Sequence, residues 1–330
     1  MNKVSHLFLT LLATQLLISC GGGGGGSSAQ TLQPNSGTIT PAPPSTAITS
    51  NLDSQTKGTI NGTISYEEID REFILYVPSS YDSGSKQPLV FNFHGYGSNA
   101  NEQMNYGDLR SQADASGFVL VHPEALDDIY GSSYWNIRGW STSVHDDVKF
   151  VENLINLLMD KYSINANRIY STGMSNGGFF SFHLACNLSA SFAAVASVTG
   201  SMTYHTFDNC NPRKPTPVMQ IHGSLDATVP YKGSDTSNMK PIMDVMEYWK
   251  VNNGCDDFML SLPGILPGTT SWTETYQYSN CLNGTENIHL YVQGAGHIWP
   301  GSIYESIQSP YASSRVWGFF SKYDINGVIQ

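Results

Sequence analysis

The sequence predicts an α/β fold in which a mostly parallel central sheet is covered by helices on both faces. Three observations carry this expectation. Short apolar β-rich runs alternate with helical stretches from residue 58 onward. One early run, residues 88–93 (PLVFNF), is almost continuously apolar, as a strand buried on both faces must be. The stretch 146–162 (DDVKFVENLINLLMDKY) places Val148, Val151, Ile155, Leu158, Met159 and Tyr162 on one helical face, the period of a helix packed against a sheet.

The elements follow in order. Residues 71–77 (REFILYV) read as a strand, followed by 88–93. The helix over 146–162 opens with Asp146 and Asp147, where carboxylates favour the helix dipole. Residues 168–172 (RIYST) form a strand, 176–187 a helix, and 192–198 (FAAVASV) a strand. Next come a strand at 217–221 (PVMQI), a helix around 242–250, a strand at 288–292 and a last helix near 314–322. Strands alternating with helices imply parallel pairing through crossovers, and in such sheets sites lie at the carboxyl ends of the strands.

The 330 residues carry 16 basic and 27 acidic side chains, a formal net charge of −11. A surface with that excess of carboxylates repels phosphates, which excludes a basic nucleic-acid binder. With 40% hydrophobic residues the chain can build a core, so global disorder is also excluded. Lys3 and the apolar run 7–18 read as an export signal, because about a dozen apolar residues are too few to span a bilayer. That run ends in Leu17-Ile18-Ser19-Cys20, which resembles the lipobox of bacterial lipoproteins and implies lipidation at Cys20. Gly21 follows, and by the same resemblance favours the outer membrane or cell surface. Low-charge Gly, Ser, Thr and Pro continue to about residue 57, a flexible tether by composition. The expected organisation is a signal peptide over 1–19, a lipidated cysteine and tether over 20–57, and a catalytic domain over 58–330. Membrane contact is expected through the lipid anchor alone.

The remaining cysteines, Cys186, Cys210, Cys255 and Cys281, are even in number, as two disulfides of an exported domain require. Three connectivities are possible. Pairing nearest neighbours, Cys186 with Cys210 and Cys255 with Cys281, closes the shortest loops and is the expectation. A zinc site is the rival, but the chain has no C-x-x-C pair.

Three strand ends carry chemistry. Gly173-Met174-Ser175-Asn176-Gly177 fits the G-x-S-x-G turn that holds a nucleophilic serine between a strand and a helix, and it lies between the strand 168–172 and the helix 176–187. A serine needs a base. His297, in the Gly-rich segment 294–301 (GAGHIWPG) after a strand, is the candidate, whereas His289 sits inside the strand and reads as a packed residue. The acid must fall between them for the order Ser, acid, His, and Asp226 follows the strand 217–221 on a loop. His94-Gly95-Tyr96-Gly97 follows the first central strand. The backbone N–H groups of Tyr96 and Asn176 are therefore the expected oxyanion donors.

Together, HGYG (94–97), HDDVKFVENLI (145–155), RIYSTGMSNGGFFSFHLAC (168–186), FAAVASVTG (192–200), IHGSLDATVPY (221–231) and GAGHIWPG (294–301) resemble the α/β-hydrolase esterases grouped with polyhydroxybutyrate depolymerases, feruloyl esterases and acetylxylan esterases. The resemblance covers nearly all of residues 65–322. It implies an α/β-hydrolase with nucleophile Ser175, acid Asp226, base His297 and oxyanion donors Tyr96 and Asn176, with no metal and no cofactor. One departure is Tyr96, where many polyester depolymerases of this family have a Cys; because only the backbone N–H is used there, pocket shape changes rather than catalysis. Trp135, Trp140 and Trp299 sit in predicted loops and are candidate platforms for an aromatic acyl group or a sugar ring. The expected function is an exported serine carboxylic ester hydrolase acting on feruloyl or acetyl esters of polysaccharide. The alternatives are a depolymerase of polyhydroxybutyrate or its oligomers, a peptidase on the same fold, and a non-catalytic surface-binding lipoprotein.

Overall fold

In the computed structural model, which describes residues 48–140, 145–265, 272–302 and 311–330, the chain begins on one edge of a large sheet. β1 (Thr49–Ser50), β2 (Gly58–Tyr66) and β3 (Ile69–Val77) precede β4 (Gln87–Phe93). Helices α1 (Ala100–Tyr106) and α2 (Arg110–Ser116) lead to β5 (Val119–Pro123), and α3 (Asp147–Lys161) leads to β6 (Ile164–Met174). Then follow α4 (Asn176–Asn187), β7 (Ala194–Val198), α5 (Tyr204–Asp208), β8 (Val218–Gly223) and α6 (Ile242–Asn252). The hairpin β9 (Asp257–Ile265) and β10 (Trp272–Ser279), strand β11 (Asn287–Val292), helix α7 (Tyr311–Phe320) and a small hairpin of β12 (Tyr323–Asp324) and β13 (Gly327–Val328) complete it.

The sheet order is β1-β2-β3-β5-β4-β6-β7-β8-β11-β10-β9. Its centre, β5-β4-β6-β7-β8-β11, is parallel, as the alternation of strands and helices predicts. Both margins are antiparallel. The α/β expectation therefore holds, and the structure adds the central strand β5, the margin strands β1, β2, β9 and β10, the small hairpin of β12 and β13, and the helices α1, α2 and α5. These short or mixed segments lack the long apolar period that marks α3. Asn99 and Glu102 did carry a signal for α1: the Asn99 side chain accepts from the Glu102 N–H at 2.8 Å, the start of a capping arrangement.

Side chains alternate across the central strands, so each strand feeds two cores. On β4, Leu89, Phe91 and Phe93 join the face covered by Phe150 and Leu154 of α3, Phe180 of α4 and Trp249 of α6. Val90 joins the other face with Leu109, Ala113 and Val316, Phe319 and Phe320 of α7. Disulfides Cys186–Cys210 and Cys255–Cys281 pin the loops around α4 and α6.

Asp146 and Asp147 divide the work that the sequence assigns to both. The Asp146 side chain caps α3 by accepting from the Lys149 N–H at 3.0 Å. Asp147 turns inward, where Arg71 of β3 meets its Oδ1 at 2.8 Å with both side chains 1% exposed. Its Oδ2 accepts from the Asn136 N–H at 2.8 Å, and the guanidinium lies 3.9 Å from the centre of the Phe150 ring. A buried charge is tolerated only when paired and hydrogen-bonded in this way. The pair thereby ties the long loop before α3 to the sheet.

The domain start is corrected by the residues just before β2. Composition assigns 48–57 to the tether, but β1 pairs with β2, Leu52 is buried, and the Tyr162 hydroxyl donates to the Thr56 carbonyl at 3.0 Å. A single Leu and a few backbone groups, invisible to a composition average, are enough to dock the segment. The signal peptide, Cys20 and the tether before residue 48 lie outside the described residues. Among the described residues no helix is long and apolar enough to cross a membrane.

Two outcomes follow from this packing. Leu52→Ala is expected to cost roughly 2–3 kcal/mol, a fall of about 5 °C or more in melting temperature; an unchanged melt would return Leu52 to the tether. Burial also pushes His122 and His289 down to about 3 and His183 down to about 4. Each is neutral in the folded chain where the unfolded chain has already bound a proton, so stability falls as pH drops from about 6.5. His122→Gln is expected to flatten that slope by about one proton, roughly 1.4 kcal/mol per pH unit, in denaturant titrations between pH 6 and 4.

Candidate active site

β6 runs into α4 through a single residue. Ser175 takes φ 54° and ψ −120°, a region that ordinary L-residues rarely occupy and that marks stored backbone strain. The surrounding structure holds it there: its N–H donates to the Val198 carbonyl at 2.9 Å, and its own carbonyl accepts from the Phe179 N–H at 2.9 Å. The turn fits because Gly177 has no side chain. A Cβ there would stand 2.2 Å from the Phe93 carbonyl oxygen and 2.7 Å from that of His94. The helix thus rests directly on the end of β4.

Asn176 does more than its place in the turn suggests. Its Oδ1 accepts from the Trp135 N–H at 2.8 Å and its Nδ2 donates to the Trp135 carbonyl at 3.1 Å. That two-point clamp fastens the loop over the core. The Asn176 backbone N–H is among the first four of α4, which have no acceptor within the helix.

β8 and β11 are parallel neighbours, and their ends deliver the next two groups. A Cβ on Gly223 would meet the Ala295 carbonyl oxygen at 2.3 Å, so the loop bearing His297 lies against the end of β8. There the Asp226 Oδ2 accepts from His297 Nδ1 at 2.8 Å, and its Oδ1 accepts from the Thr228 and Val229 N–H groups at 2.9 and 2.8 Å. A carboxylate can only accept, so His297 carries its proton on Nδ1 and leaves Nε2 as the basic atom. Burial alone would raise the Asp226 carboxyl. The bonds from His297 and Val229, with the histidines beside it, outweigh burial and hold it below its ordinary value.

His222 supports this arrangement from below. The Gln220 Nε2 donates to the Gly200 carbonyl at 2.9 Å and lies 2.8 Å from His222 Nδ1. A carbonyl only accepts, so an amide nitrogen must stand there and His222 Nδ1 is an acceptor. The remaining N–H, on Nε2, then donates to the Val229 carbonyl at 2.8 Å and stands 3.4 Å from Asp226 Oδ2. Burial pushes this imidazole's pKa down, so it stays neutral beside the carboxylate.

The turn after β4 completes the site. His94 is fully buried, with Nδ1–H donating to the Gly95 carbonyl at 2.7 Å and Nε2 accepting from the Ala125 N–H at 3.1 Å. It shapes the turn. A Cβ on Gly95 would lie 3.4 Å from that of Ser175, so this turn abuts the elbow. Its own hydrogen bonds use the N–H groups of Gly97, to the Ser133 carbonyl, and Ser98, to the Gly95 carbonyl, rather than that of Tyr96. Ser175, His297, Gly95 and Tyr96 line one cavity of about 440 Å³ with Tyr106 and Met174. A hydroxyl and an imidazole braced by a carboxylate, facing one cavity that the turn after β4 also lines, are parts that acyl transfer needs.

The tryptophans are where sequence reasoning fails. Trp135 is fully buried among Phe93, Phe150 and Phe180, its indole N–H donating to the His94 carbonyl at 3.0 Å. Trp299 is 1% exposed and donates to the Ser313 hydroxyl. Neither presents a face to a ligand, so both are corrected from platform to packing. Trp140 is half-buried between Tyr134 and Phe179, its indole N–H held by the Ser237 carbonyl at 2.7 Å. The sequence reading also missed Tyr106, whose hydroxyl accepts from the Trp299 N–H at 3.2 Å and so braces the His297 loop.

Residues 80–243 match the family described as phospholipase/carboxylesterase. The chain is 26% identical over 271 residues to a bifunctional acetylxylan esterase/xylanase of Neocallimastix patriciarum, covering 82% of this chain and 36% of that protein. It is 27% identical over 259 residues to a probable feruloyl esterase C of Aspergillus flavus, covering 76% and 84%. Among solved structures, an acetyl xylan esterase from Aspergillus awamori superposes with TM-score 0.54 at 16% identity, covering 76% of this chain and 94% of that one. The feruloyl esterase module from Clostridium thermocellum gives 0.51 at 16%, covering 79% and 87%. These superpositions establish the α/β-hydrolase fold.

Gly177→Ala tests the contact on which the elbow rests. The added methyl must displace the backbone at Phe93 or the helix itself, so we expect a loss of more than about 3 kcal/mol or insoluble expression. A variant that melts like the wild type would show that the helix does not sit on the strand end as described.

Proposed function

Residues 80–243 belong to the phospholipase/carboxylesterase family of α/β-hydrolases, and on that premise we propose that the protein is a carboxylic ester hydrolase working through an acyl-enzyme on Ser175. The observation that carries this reading is the 2.8 Å bond between Asp226 and His297, with His297 and Ser175 facing one cavity. His297 Nε2 takes the proton of the Ser175 hydroxyl as its oxygen attacks the ester carbonyl. The imidazolium that forms is stabilised by Asp226, already ionised because its carboxyl is held low. The N–H groups of Tyr96 and Asn176 receive the negative oxygen of the tetrahedral intermediate, where one such donor is worth about 10²–10³ in rate. His297 returns its proton to the leaving alcohol, and a water attacks the acyl-enzyme by the same steps in reverse order.

The substrate we infer is a feruloyl or acetyl ester carried on polysaccharide. Tyr96, Tyr106 and Met174 give the cavity an apolar wall suited to an acyl group, while Ser98, Glu102 and Gln103 give it polar groups for a sugar alcohol. The curated relatives named above support the same class. We further read the protein as exported and anchored through Cys20, a reading with which the two disulfides agree, since they need an oxidising compartment.

Purified protein is expected to hydrolyse p-nitrophenyl acetate and methyl ferulate, with kcat/KM falling by at least about 10³ in Ser175→Ala and in His297→Ala. Equal rates in wild type and Ser175→Ala would sink the mechanism.

A further inference from the structure

The two large apolar side chains most exposed among the described residues are neighbours. Ile129 is 72% and Tyr130 75% exposed, and both sit at the tip of the loop between β5 and α3. Single exposed apolar residues are ordinary on a protein surface. This pair differs because hydrogen bonds fix the backbone of its loop tip and tie it to the candidate active site.

One carboxylate does most of the holding. Asp128 is buried, and its Oδ1 accepts from the Tyr130 and Ser132 N–H groups at 2.8 and 3.2 Å. Its Oδ2 accepts from the Tyr96 hydroxyl at 3.0 Å. The Asp128 N–H donates to the Ser132 carbonyl at 2.8 Å, and the Gly97 N–H to the Ser133 carbonyl at 2.8 Å. Loop tip and oxyanion turn are therefore one hydrogen-bonded unit. Tyr96 spans both, because the residue is 50% exposed while it lines the cavity that holds Ser175.

We propose that Tyr96, Ile129 and Tyr130 form a platform that binds the neutral main chain of a polysaccharide beside the candidate active site. The proposal rests on the ester-hydrolase reading above and names the bulk of its substrate. Aromatic and apolar side chains pack against the C–H faces of sugar rings, while Asp127, exposed at the tip, and Ser98 and Glu102 at the cavity can accept or donate to sugar hydroxyls. Those carboxylates, on a chain of net charge −11, repel an anionic polymer. A polyester surface would leave the same polar groups without partners, which makes sugar the better occupant. The platform takes the part that the buried Trp135 and Trp299 cannot play.

The test uses the full chain with Ser175→Ala, so that binding is read without turnover. Its retention on insoluble arabinoxylan is measured against concentration, alone and with Ile129→Ser/Tyr130→Ser, and poly-3-hydroxybutyrate granules serve as the second matrix. We expect the double substitution to weaken retention on arabinoxylan at least fivefold with an unchanged melting temperature. In the active enzyme it should lower kcat/KM on polymer-borne feruloyl esters at least fivefold more than on p-nitrophenyl acetate. Tyr130→Ser alone provides the same reading if the double variant melts lower. The platform is overturned if Ser175→Ala protein does not bind arabinoxylan, if binding is unaffected by the substitutions, or if only the granules retain it in a Tyr130-dependent way. Failure of the active chain to hydrolyse any p-nitrophenyl ester would instead defeat the ester-hydrolase reading, while the retention experiment would still decide the platform.

Discussion

The contact between Gly177 and the end of β4 governs the rest of this structure. With a carbonyl oxygen 2.2 Å from where a side chain would begin, α4 can lie this close to the sheet only if that position is bare. The close approach forces Ser175 into its strained turn, and the hydrogen bonds from its N–H and to its carbonyl share the cost. It also sets the turn after β4 against the serine, since that turn begins where β4 ends. A native state with a strained residue at its centre needs an over-determined surround, and the two-sided core supplies it.

Around that contact, buried polar groups do the positioning that packing alone cannot. Arg71 with Asp147, Asn176 with Trp135 and Asp226 with His297 are each hydrogen-bonded, and His222 is buried beside Asp226 and bonded to the Val229 carbonyl. Breaking any of these bonds would leave a buried polar group unpaired, which favours one arrangement of each loop. The loop before α3 and the loop after β8 are held in this way. The proposed acid and base gain a second benefit, because the same burial that raises the price of a charge at Asp226 is outweighed by donors aimed at it.

Much of the site was legible because the relevant signals are local. The Gly-x-Ser-x-Gly spacing states the turn geometry in five residues, and the positions of Asp226 and His297 just after strands single them out as candidates. The α3 stripe and the continuous apolar run of β4 carried the fold for the same reason. The tryptophans misled because a loop position in sequence says nothing about depth: Trp135 and Trp299 lie in irregular segments, yet the fold draws both beneath the surface. Leu52 was lost in a polar average. The inward turn of Asp147 depends on Arg71, 76 residues away in the chain.

The sequence by itself determined the α/β architecture and pointed to Ser175, Asp226 and His297 as candidates, because periodicity, glycine spacing and strand-end placement act over a few residues. Only the tertiary structure decided which aromatic side chains reach solvent, which carboxylate pairs with Arg71, and how Asp226 is stabilised. Those outcomes turn on burial and on contacts between distant residues, such as Arg71 with Asp147 and Asp226 with His297, 76 and 71 positions apart, whose loop-closure entropy no local pattern encodes. Exposure of Tyr96, Ile129 and Tyr130 belongs to the second class, since one buried carboxylate, Asp128, fixes all that surrounds it.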